Sequence, residues 1–204
     1  MNLPIYIVSL KRDIERRNKI NDVFHRLNIN FDFFDAIDAK DPQNKEIIDK
    51  MRLSGVGAEM TDGEIACTLS HQLIYKDMID KNIEWAVILE DDVIVNEKFK
   101  KFLQYFNLPE KDKLKHNNLY LLGGQKGLHD YPVLGQSLFS KVKVSTCTFR
   151  RVNFNKNKIR RTCSYLMNKD MAQKLLKLTK ATDTYETPPQ IIWIDNSTIA
   201  TLGN

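Results

Sequence analysis

The chain has 204 residues, of which 42% are hydrophobic and 28% charged, a composition typical of one globular domain with a sizeable core. The net charge of +5 is a mild excess. The sequence contains no apolar run near the roughly 20 residues of a membrane span, and Leu3–Leu10 is too short for a signal peptide. Three widely spaced cysteines indicate neither a disulfide framework nor a zinc cluster. We therefore expect a cytoplasmic protein.

The first predicted elements form a β-α-β unit. Leu3–Ser9 is an apolar run rich in β-branched and aromatic residues, which is typical of a buried strand. Lys11–Asn28 carries apolar residues at helical spacing, and Ile29–Phe34 predicts a second strand. This alternation is typical of a parallel α/β unit. A short helix and then a loop are predicted over residues 40–60.

A capping box starts the next predicted helix. Thr61 is the N-cap residue and Glu64 follows three positions later, which predicts a helix to about Lys81. The remaining predicted elements are strands at Trp85–Leu89 and Leu119–Leu122, an antiparallel pair or one long strand over 138–149, a strand at Ser164–Met167, a helix from Asn168 to about Leu178, and an apolar run at Ile191–Ile194.

Three consecutive carboxylates, Glu90, Asp91 and Asp92, follow the strand at Trp85–Leu89. Ligands of open α/β sheets bind beyond the carboxyl ends of the strands. Hard oxygen ligands suit Mg²⁺ or Mn²⁺, and a divalent cation would remove the repulsion between adjacent anions. Side-chain alternation predicts that Glu90 and Asp92 face one way and Asp91 the other. The alternatives are a solvated acidic turn, or Asp91 as the cap of a downstream element.

Two further features indicate phosphate binding. The helix beginning near Gly63 presents free N–H groups and a positive dipole end, with Ser70 and His71 two turns inside. A lone helical histidine is more often a structural hydrogen-bonding group. Three arginines follow the first strand: Arg12, Arg16 and Arg17. Their guanidinium groups could reach a diphosphate; alternatively, they lie on an exposed helix face and pair with nearby acidic residues. These residues together indicate a metal- and phosphate-handling α/β enzyme.

A basic stretch lies between Asp130 and Asp170, where the sequence has no acidic residue. Its basic residues are Lys141, Lys143, Arg150, Arg151, Lys156, Lys158, Arg160, Arg161 and Lys169. Such a stretch attracts anionic partners such as phosphorylated glycolipid or membrane headgroups, or is a solvated part of a basic protein. Nucleic acid is the weakest option, because no recognition motif matches.

Several motifs together resemble glycosyltransferase family 25, the lipooligosaccharide biosynthesis galactosyltransferases of Gram-negative bacteria and related enzymes. The motifs agree in order and approximate spacing from the N-terminus to about residue 180. They are IYIVSLKRDIERRN, FFDAIDA, GEIACTLSH, WAVILEDDVIV, LYLLGG and RTCSYLMNKDMAQKLL.

The resemblance implies an α/β fold of the GT-A type in one domain over residues 1–204. A Rossmann-like nucleotide-sugar half, about 1–95, would merge with an acceptor half, about 96–204, around a mixed sheet. It implies transfer of a hexose, usually galactose from UDP-galactose, onto a sugar hydroxyl of lipooligosaccharide or lipopolysaccharide, with inversion. It also implies Mn²⁺ (or Mg²⁺) as the cofactor, and a cytoplasmic location, peripheral to the inner membrane through residues 141–161.

The resemblance further implies roles for individual residues. Asp92 would be the prime metal ligand, with Glu90 as a second ligand and Glu90 or Asp91 touching ribose or a metal-bound water. The nucleotide-sugar cleft would be lined by Val8, Ser9, Leu10, Arg12, Arg16, Asp35, Ala36, Gly63, Glu64, Ser70 and His71. The acceptor side would be formed by Gly123, Gly124, Thr162, Ser164 and Tyr165.

Inverting transfer also requires a general base. By resemblance, Asp183 is the nearest match to the family's carboxylate, with Glu186 and Asp195 as substitutes; a loop residue in a Thr-rich turn is the alternative for Asp183. Two other functions stay open at this point. One is a metal-dependent phosphoryl or nucleotidyl transferase or hydrolase, and the other is a non-catalytic glycan-binding relative.

Overall fold

The structure is a computed structural model that describes residues 3–55, 57–106, 112–122, 135–144, 147–154, 163–180, 192–195 and 200–202. Within them, the strands are β1 (Ile5–Ser9), β2 (Asp32–Asp35), β3 (Trp85–Glu90), β4 (Val93–Val95), β5 (Leu119–Leu121), β6 (Gly135–Val144), β7 (Cys147–Phe154), β8 (Ser164–Asn168), β9 (Ile192–Asp195) and β10 (Ala200–Leu202). The helices are α1 (Ile14–Leu27), α2 (Lys45–Leu53), α3 (Asp62–Asp80), α4 (Glu97–Phe106) and α5 (Lys169–Lys180), with a 3-10 turn at Pro42–Asn44.

The central sheet is mixed, as predicted. Its strand order is β2-β1-β3-β8-β5-β9-β7-β6. Strands β2, β1 and β3 run parallel, β8 is antiparallel to both β3 and β5, and β9 is parallel to β5. The predicted pairing over 138–149 is the antiparallel hairpin of β6 and β7. The parallel strands therefore form one end of the sheet, and their carboxyl ends lie at one edge.

Helices cover both faces of the parallel strands. Ile7 and Leu89 share a buried cluster with residues of α1 and α4. Val8 and Ile88 share a second cluster with residues of α3 and α5. Because successive side chains of a strand point to opposite faces, odd-numbered residues of β1 and β3 face α1 and even-numbered ones face α3. This alternation decides which helix each residue at the strand ends can contact.

The β-α-β unit forms as predicted, with shifted boundaries. Asp13 caps α1, its side chain accepting from the backbone N–H of Arg16, so the helix begins at Ile14. Asn28 ends α1 in the left-handed conformation with φ 52°, and the backbone N–H of Ile29 donates to the carbonyl of Phe24. The chain is still leaving the helix at Ile29, which explains why β2 starts at Asp32.

The capping box of α3 is confirmed. The Thr61 hydroxyl accepts from the backbone N–H of Glu64, and the Glu64 carboxylate accepts from the backbone N–H of Thr61 at 2.8 Å. These bonds satisfy N–H groups that have no partner within the helix. The capping box thereby fixes Asp62 as the first residue of α3.

Three elements were not predicted. Helix α4 buries Phe99, Phe102 and Phe106 at helical spacing, and β4 pairs antiparallel with β10. β4 and β10 have only three residues each, which is too short for a recognisable strand pattern in the sequence.

None of the helices among the described residues is long and apolar enough to cross a membrane.

Substitution of Thr61 by Ala is expected to lower the free energy of unfolding by about 1 kcal/mol, because the capping bond is lost. Urea titration of wild type and variant measures the change. Thr68→Ala is the matched control, since the Thr68 hydroxyl bonds only the carbonyl of Glu64 inside the same helix. Equal loss of stability in both variants would contradict the role of the cap.

Candidate active site

The parallel strands bring most of the predicted donor-site residues to one edge. Ser9 is paired with Asp35 across β1 and β2, and Val8 is paired with Glu90 across β1 and β3. The backbone N–H of Ala36 donates to the Ser9 carbonyl at 2.9 Å. Asp91 and Asp92 follow directly after β3. The carboxylates predicted for the site therefore meet the end of β1, where Rossmann-like sheets bind their ligands.

Asp91 belongs to a polar network on the α1 side of the edge. The Ser9 hydroxyl donates to one Asp91 oxygen at 2.8 Å, and Arg16 Nη1 donates to the other at 2.9 Å. Arg17 donates to the Ser9 carbonyl at 2.9 Å and to Asp35 at 2.5 Å. Both oxygens of Asp91 are thus engaged by protein groups. Asp91 orients Arg16, whose side chain is 52% exposed at the mouth of the site.

Glu90 lies on the opposite face, as the predicted alternation requires. One of its carboxylate oxygens is 3.9 Å from Nε2 of His71. Cys67 is one turn before His71 on α3, and one ligand atom from each of Cys67, His71 and Glu90 lies within 4.8 Å of the others. In the part of the chain that the structure describes, no other set of three histidine, cysteine, aspartate or glutamate side chains brings its ligand atoms this close together.

His71 is held by two tyrosines, the buried Tyr165 and the partly buried Tyr75. Its Nδ1 is 2.6 Å from the Tyr165 hydroxyl, which is 3.0 Å from the Tyr75 hydroxyl. Burial lowers the pKa of His71 to about 4 and raises the pKa of Tyr75 to about 12. Burial also raises the pKa of Tyr165 well above its usual range. All three groups are therefore neutral at physiological pH.

Asp92 is the carboxylate best placed to meet a cation. Its Oδ1 is buried and has no hydrogen-bond partner among the described residues. An unpaired buried carboxylate oxygen is costly, and a divalent cation is one of the partners that relieves this cost. The chain turns directly after Glu90, so strand alternation does not extend to Asp92. The residues present fit a hard cation held by Asp92.

Other predicted donor-site residues have structural partners. Arg12 pairs with Asp38. Glu64 closes the capping box, and the Ser70 hydroxyl donates to the Ala66 carbonyl at 2.7 Å and accepts from the Ile37 backbone at 2.8 Å. Gly63 is exposed with open space around it, and the Leu10 carbonyl accepts from the backbone N–H of Asp13. The donor roles of these residues stay predictions.

Part of the predicted acceptor side lies on β8, beside β3. Ser164 and Tyr165 are buried and paired with Leu89 and Ile88. The Tyr165 hydroxyl supports His71, so its contact with an acceptor stays a prediction. Asp195 ends β9, opposite Phe149 of β7. The predicted residues Gly123, Gly124, Thr162, Asp183 and Glu186 lie outside the described residues.

Sequence reasoning missed two residues of the site. Cys67 and Tyr75 lie one turn before and one turn after His71 on α3. The spacing of Cys67 and His71, four residues apart on a helix, places both on one face and was available in the sequence. Tyr75 carried no such signal, because its role depends on the pairing of β8 with β3.

Residues 2–193 match the family described as glycosyltransferase family 25 (LPS biosynthesis protein). The chain belongs to this family. The predicted resemblance is therefore confirmed, and it covers the strand ends, α3 and β8 together.

Individual relatives match a shorter region. The lipooligosaccharide biosynthesis protein lic2B of Haemophilus influenzae is 34% identical over 98 residues, which cover 48% of this chain and 36% of that protein. The lacto-N-neotetraose biosynthesis glycosyltransferase LgtB of Neisseria meningitidis is 31% identical, with the same coverage of 48% and 36%. Human procollagen galactosyltransferase 2 is 31% identical over 106 residues, which cover 48% of this chain and 17% of that protein.

The chain thus spans about a third of the length of these bacterial relatives. Among solved structures, a glycosyltransferase involved in glycosylation of the major capsid of PBCV-1 aligns with a TM-score of 0.36 and 12% identity. The alignment covers 91% of this chain and 69% of that one.

The buried His71 predicts a pH dependence of stability. Its pKa is about 4 in the folded chain, against about 6.5 when unfolded. As the pH falls, the imidazole is therefore protonated in the unfolded state at a higher pH than in the folded state. The contribution of His71 to the free energy of unfolding is fully present above about pH 6.5 and is lost as the pH drops toward 4. We expect a loss on the order of 3 kcal/mol through His71. Tyr75, Tyr165 and Cys67, which face it, stay protonated over this range because partial or complete loss of hydration raises their pKa values.

Urea unfolding at several pH values, in buffer with a chelator, tests this dependence. His71→Gln should flatten the slope between pH 6.5 and 4, whereas the matched control His25→Gln, at an exposed position on α1, should keep it. If the free energy of unfolding of His71→Gln fell with pH as steeply as that of the wild type, His71 would not be the group responsible.

Proposed function

We propose that the protein is a metal-dependent inverting glycosyltransferase that moves a hexose from a uridine diphosphate sugar onto a sugar hydroxyl of a lipooligosaccharide. Membership of family 25 over residues 2–193 is the observation that carries the reaction class. The mixed sheet, with its parallel half ending in Ser9, Asp35 and the three carboxylates, is consistent with a GT-A arrangement.

The donor is proposed to bind across the ends of β1, β2 and β3. Nucleotides bind at this edge of α/β sheets, and Ser9 and Asp35 line it here. Arg16 is half-exposed and held by Asp91, so its guanidinium is pre-positioned for a diphosphate. The Arg12–Asp38 pair would have to open for Arg12 to contribute.

Mn²⁺ or Mg²⁺ is proposed as the cofactor, with Asp92 as its protein ligand. The support is the buried, unpartnered Oδ1 of Asp92, together with the preference of these ions for one or two carboxylates shared with substrate phosphates. When bound, such a cation stabilises the negative charge that develops on the departing diphosphate. Glu90, the second predicted ligand, faces Cys67 and His71 on α3.

A carboxylate on the far side of the transferred sugar is proposed to take the acceptor proton. Asp183 is the first choice, with Glu186 and Asp195 as the alternatives. An inverting reaction needs this group opposite the leaving diphosphate, within hydrogen-bond reach of the acceptor hydroxyl.

Galactose is the proposed hexose. One relative, human procollagen galactosyltransferase 2, is a galactosyltransferase, which supports this choice. Galactose and glucose differ only at the C4 hydroxyl, so the choice rests on one or two side-chain contacts.

Peripheral contact with an anionic membrane is proposed for the hairpin of β6 and β7, consistent with a location at the cytoplasmic side of the inner membrane. Leu138 is 77% exposed and Phe139 93% exposed, next to the exposed Lys141 and Lys143. The pairing of β6 with β7 is irregular between Gln136 and Lys141, which sets the two apolar side chains apart from the ladder. Apolar side chains flanked by lysines are typical of interfacial binding.

Asp92→Asn is expected to reduce transfer by roughly a hundredfold or more, because several kcal/mol of charge stabilisation are lost. It should also abolish the metal dependence of UDP binding measured by calorimetry. Glu97→Gln is the matched control, since Glu97 is an exposed acid five residues later. Normal turnover by Asp92→Asn would contradict the role of Asp92 as the metal ligand.

The double change Leu138→Ser and Phe139→Ser is expected to abolish binding to vesicles that contain phosphatidylglycerol, because both apolar anchors are lost. Lys141→Gln with Lys143→Gln should weaken binding several-fold, at about 1 kcal/mol per basic residue. Co-sedimentation with vesicles measures both effects. Leu53→Ser, which removes an 86% exposed leucine elsewhere, should have no effect. Equal losses in the hairpin and Leu53 variants would contradict the membrane contact.

A further inference from the structure

We propose that Cys67, His71 and Glu90 form a second cation site, which selects a borderline-soft divalent ion such as Zn²⁺ and is separate from the site at Asp92. The site joins the face of α3 to the end of β3. It does not depend on the proposed transfer reaction, because it rests on the side chains of these two elements alone.

The first observation is geometric. The three ligand atoms lie within 4.8 Å of one another, and Nε2 of His71 is 3.9 Å from a Glu90 oxygen. Metal–ligand distances of about 2.0 to 2.3 Å in a tetrahedral zinc site place the ligand atoms roughly 3.3 to 3.8 Å apart. A closure of up to about 1.5 Å between the widest pair of ligand atoms is therefore needed. Cys67 is exposed, so rotation of its side chain can supply most of this movement.

The second observation is the state of His71. The residue is only 6% exposed, and its Nε2 has no hydrogen-bond partner among the described residues. This nitrogen is directed toward Glu90 at a distance too long for a hydrogen bond. A buried nitrogen without a partner is uncommon and calls for a missing one. A cation between Cys67 and Glu90 would supply it.

The opposite side of the histidine ring is arranged as a metal ligand requires. A histidine that binds metal through Nε2 carries its proton on Nδ1 and donates it to a supporting group. Here Nδ1 is 2.6 Å from the Tyr165 hydroxyl, which can accept this proton and donate its own to Tyr75 at 3.0 Å. The tyrosine pair thus holds the ring orientation and accommodates the tautomer needed for coordination, with the proton on Nδ1.

The ligand types distinguish this site from the one at Asp92. Thiolate and imidazole favour Zn²⁺ and similar ions, whereas carboxylate oxygens favour Mg²⁺ and Mn²⁺. Binding requires loss of the Cys67 proton, so a proton is released when the ion binds. Three protein ligands leave a fourth position for water or a substrate group, as in catalytic zinc sites. The occupied site would also link α3 to the strand that carries the donor-site carboxylates.

Titration of the chelator-treated full chain with Co²⁺, a spectroscopic substitute for Zn²⁺, tests the proposal. We expect saturation at one ion per chain, with a thiolate-to-cobalt charge-transfer band that Zn²⁺ bleaches. Cys67→Ala should abolish the band. Because Cys67 is exposed, this variant should keep the wild-type fold, which circular dichroism checks directly. Asp92→Asn should retain the band while losing Mn²⁺-dependent UDP binding.

Tyr165→Phe provides a second, independent test. Removal of the group that supports Nδ1 should weaken Co²⁺ binding by about 10- to 100-fold without changing the number of ions bound. A wild-type chain without the charge-transfer band, or a band that persists in Cys67→Ala, would overturn the proposal. Neither result would affect the proposed transferase, which is tested separately by the Mn²⁺-dependent binding of UDP and by the turnover of Asp92→Asn.

Discussion

The repulsion between three consecutive carboxylates at the end of a buried strand is the constraint on which the site depends. Two such charges 4 Å apart repel by about 1 kcal/mol in water and about 4 kcal/mol at an effective dielectric constant of 20. The fold separates them. Asp91 meets Ser9 and Arg16 on one face of the sheet, and Glu90 meets the α3 face on the other. Asp92 keeps a buried oxygen without a partner among the described residues.

This separation follows from the layered architecture. Parallel strands β1 and β3 are adjacent, so Ser9 and Asp91 lie within hydrogen-bond distance across them. Helix α1 begins directly after β1 and brings Arg16 to the same edge, while α3 brings His71 to the opposite face. The two faces thus provide different chemistry. One offers guanidinium groups suited to phosphate, and the other offers a thiol, an imidazole and a carboxylate suited to a softer cation.

Local patterns in the sequence were sufficient to predict the parallel β-α-β unit, the capping box of α3 and the edge at which the carboxylates meet, while the mixed sheet was predicted from the family resemblance. The boundary of β2 was wrong by three residues, because the left-handed Asn28 prolongs the exit from α1. The partners of Asp91 and His71 could not be predicted, since Ser9 and Tyr165 reach them only through the pairing of distant strands. The wide spacing of the three cysteines predicted no zinc cluster, because only the distances between cysteines were considered. In the structure, Cys67 lies instead beside a histidine and a glutamate, His71 and Glu90.

Calorimetric titration of the wild-type chain with UDP, UDP-galactose and UDP-glucose, each with and without Mn²⁺, tests whether this edge of the sheet is a metal-dependent donor site. We expect UDP to bind only when Mn²⁺ is present and UDP-galactose to bind more tightly than UDP-glucose. Failure of all three uridine nucleotides to bind in the presence of Mn²⁺ would contradict this expectation.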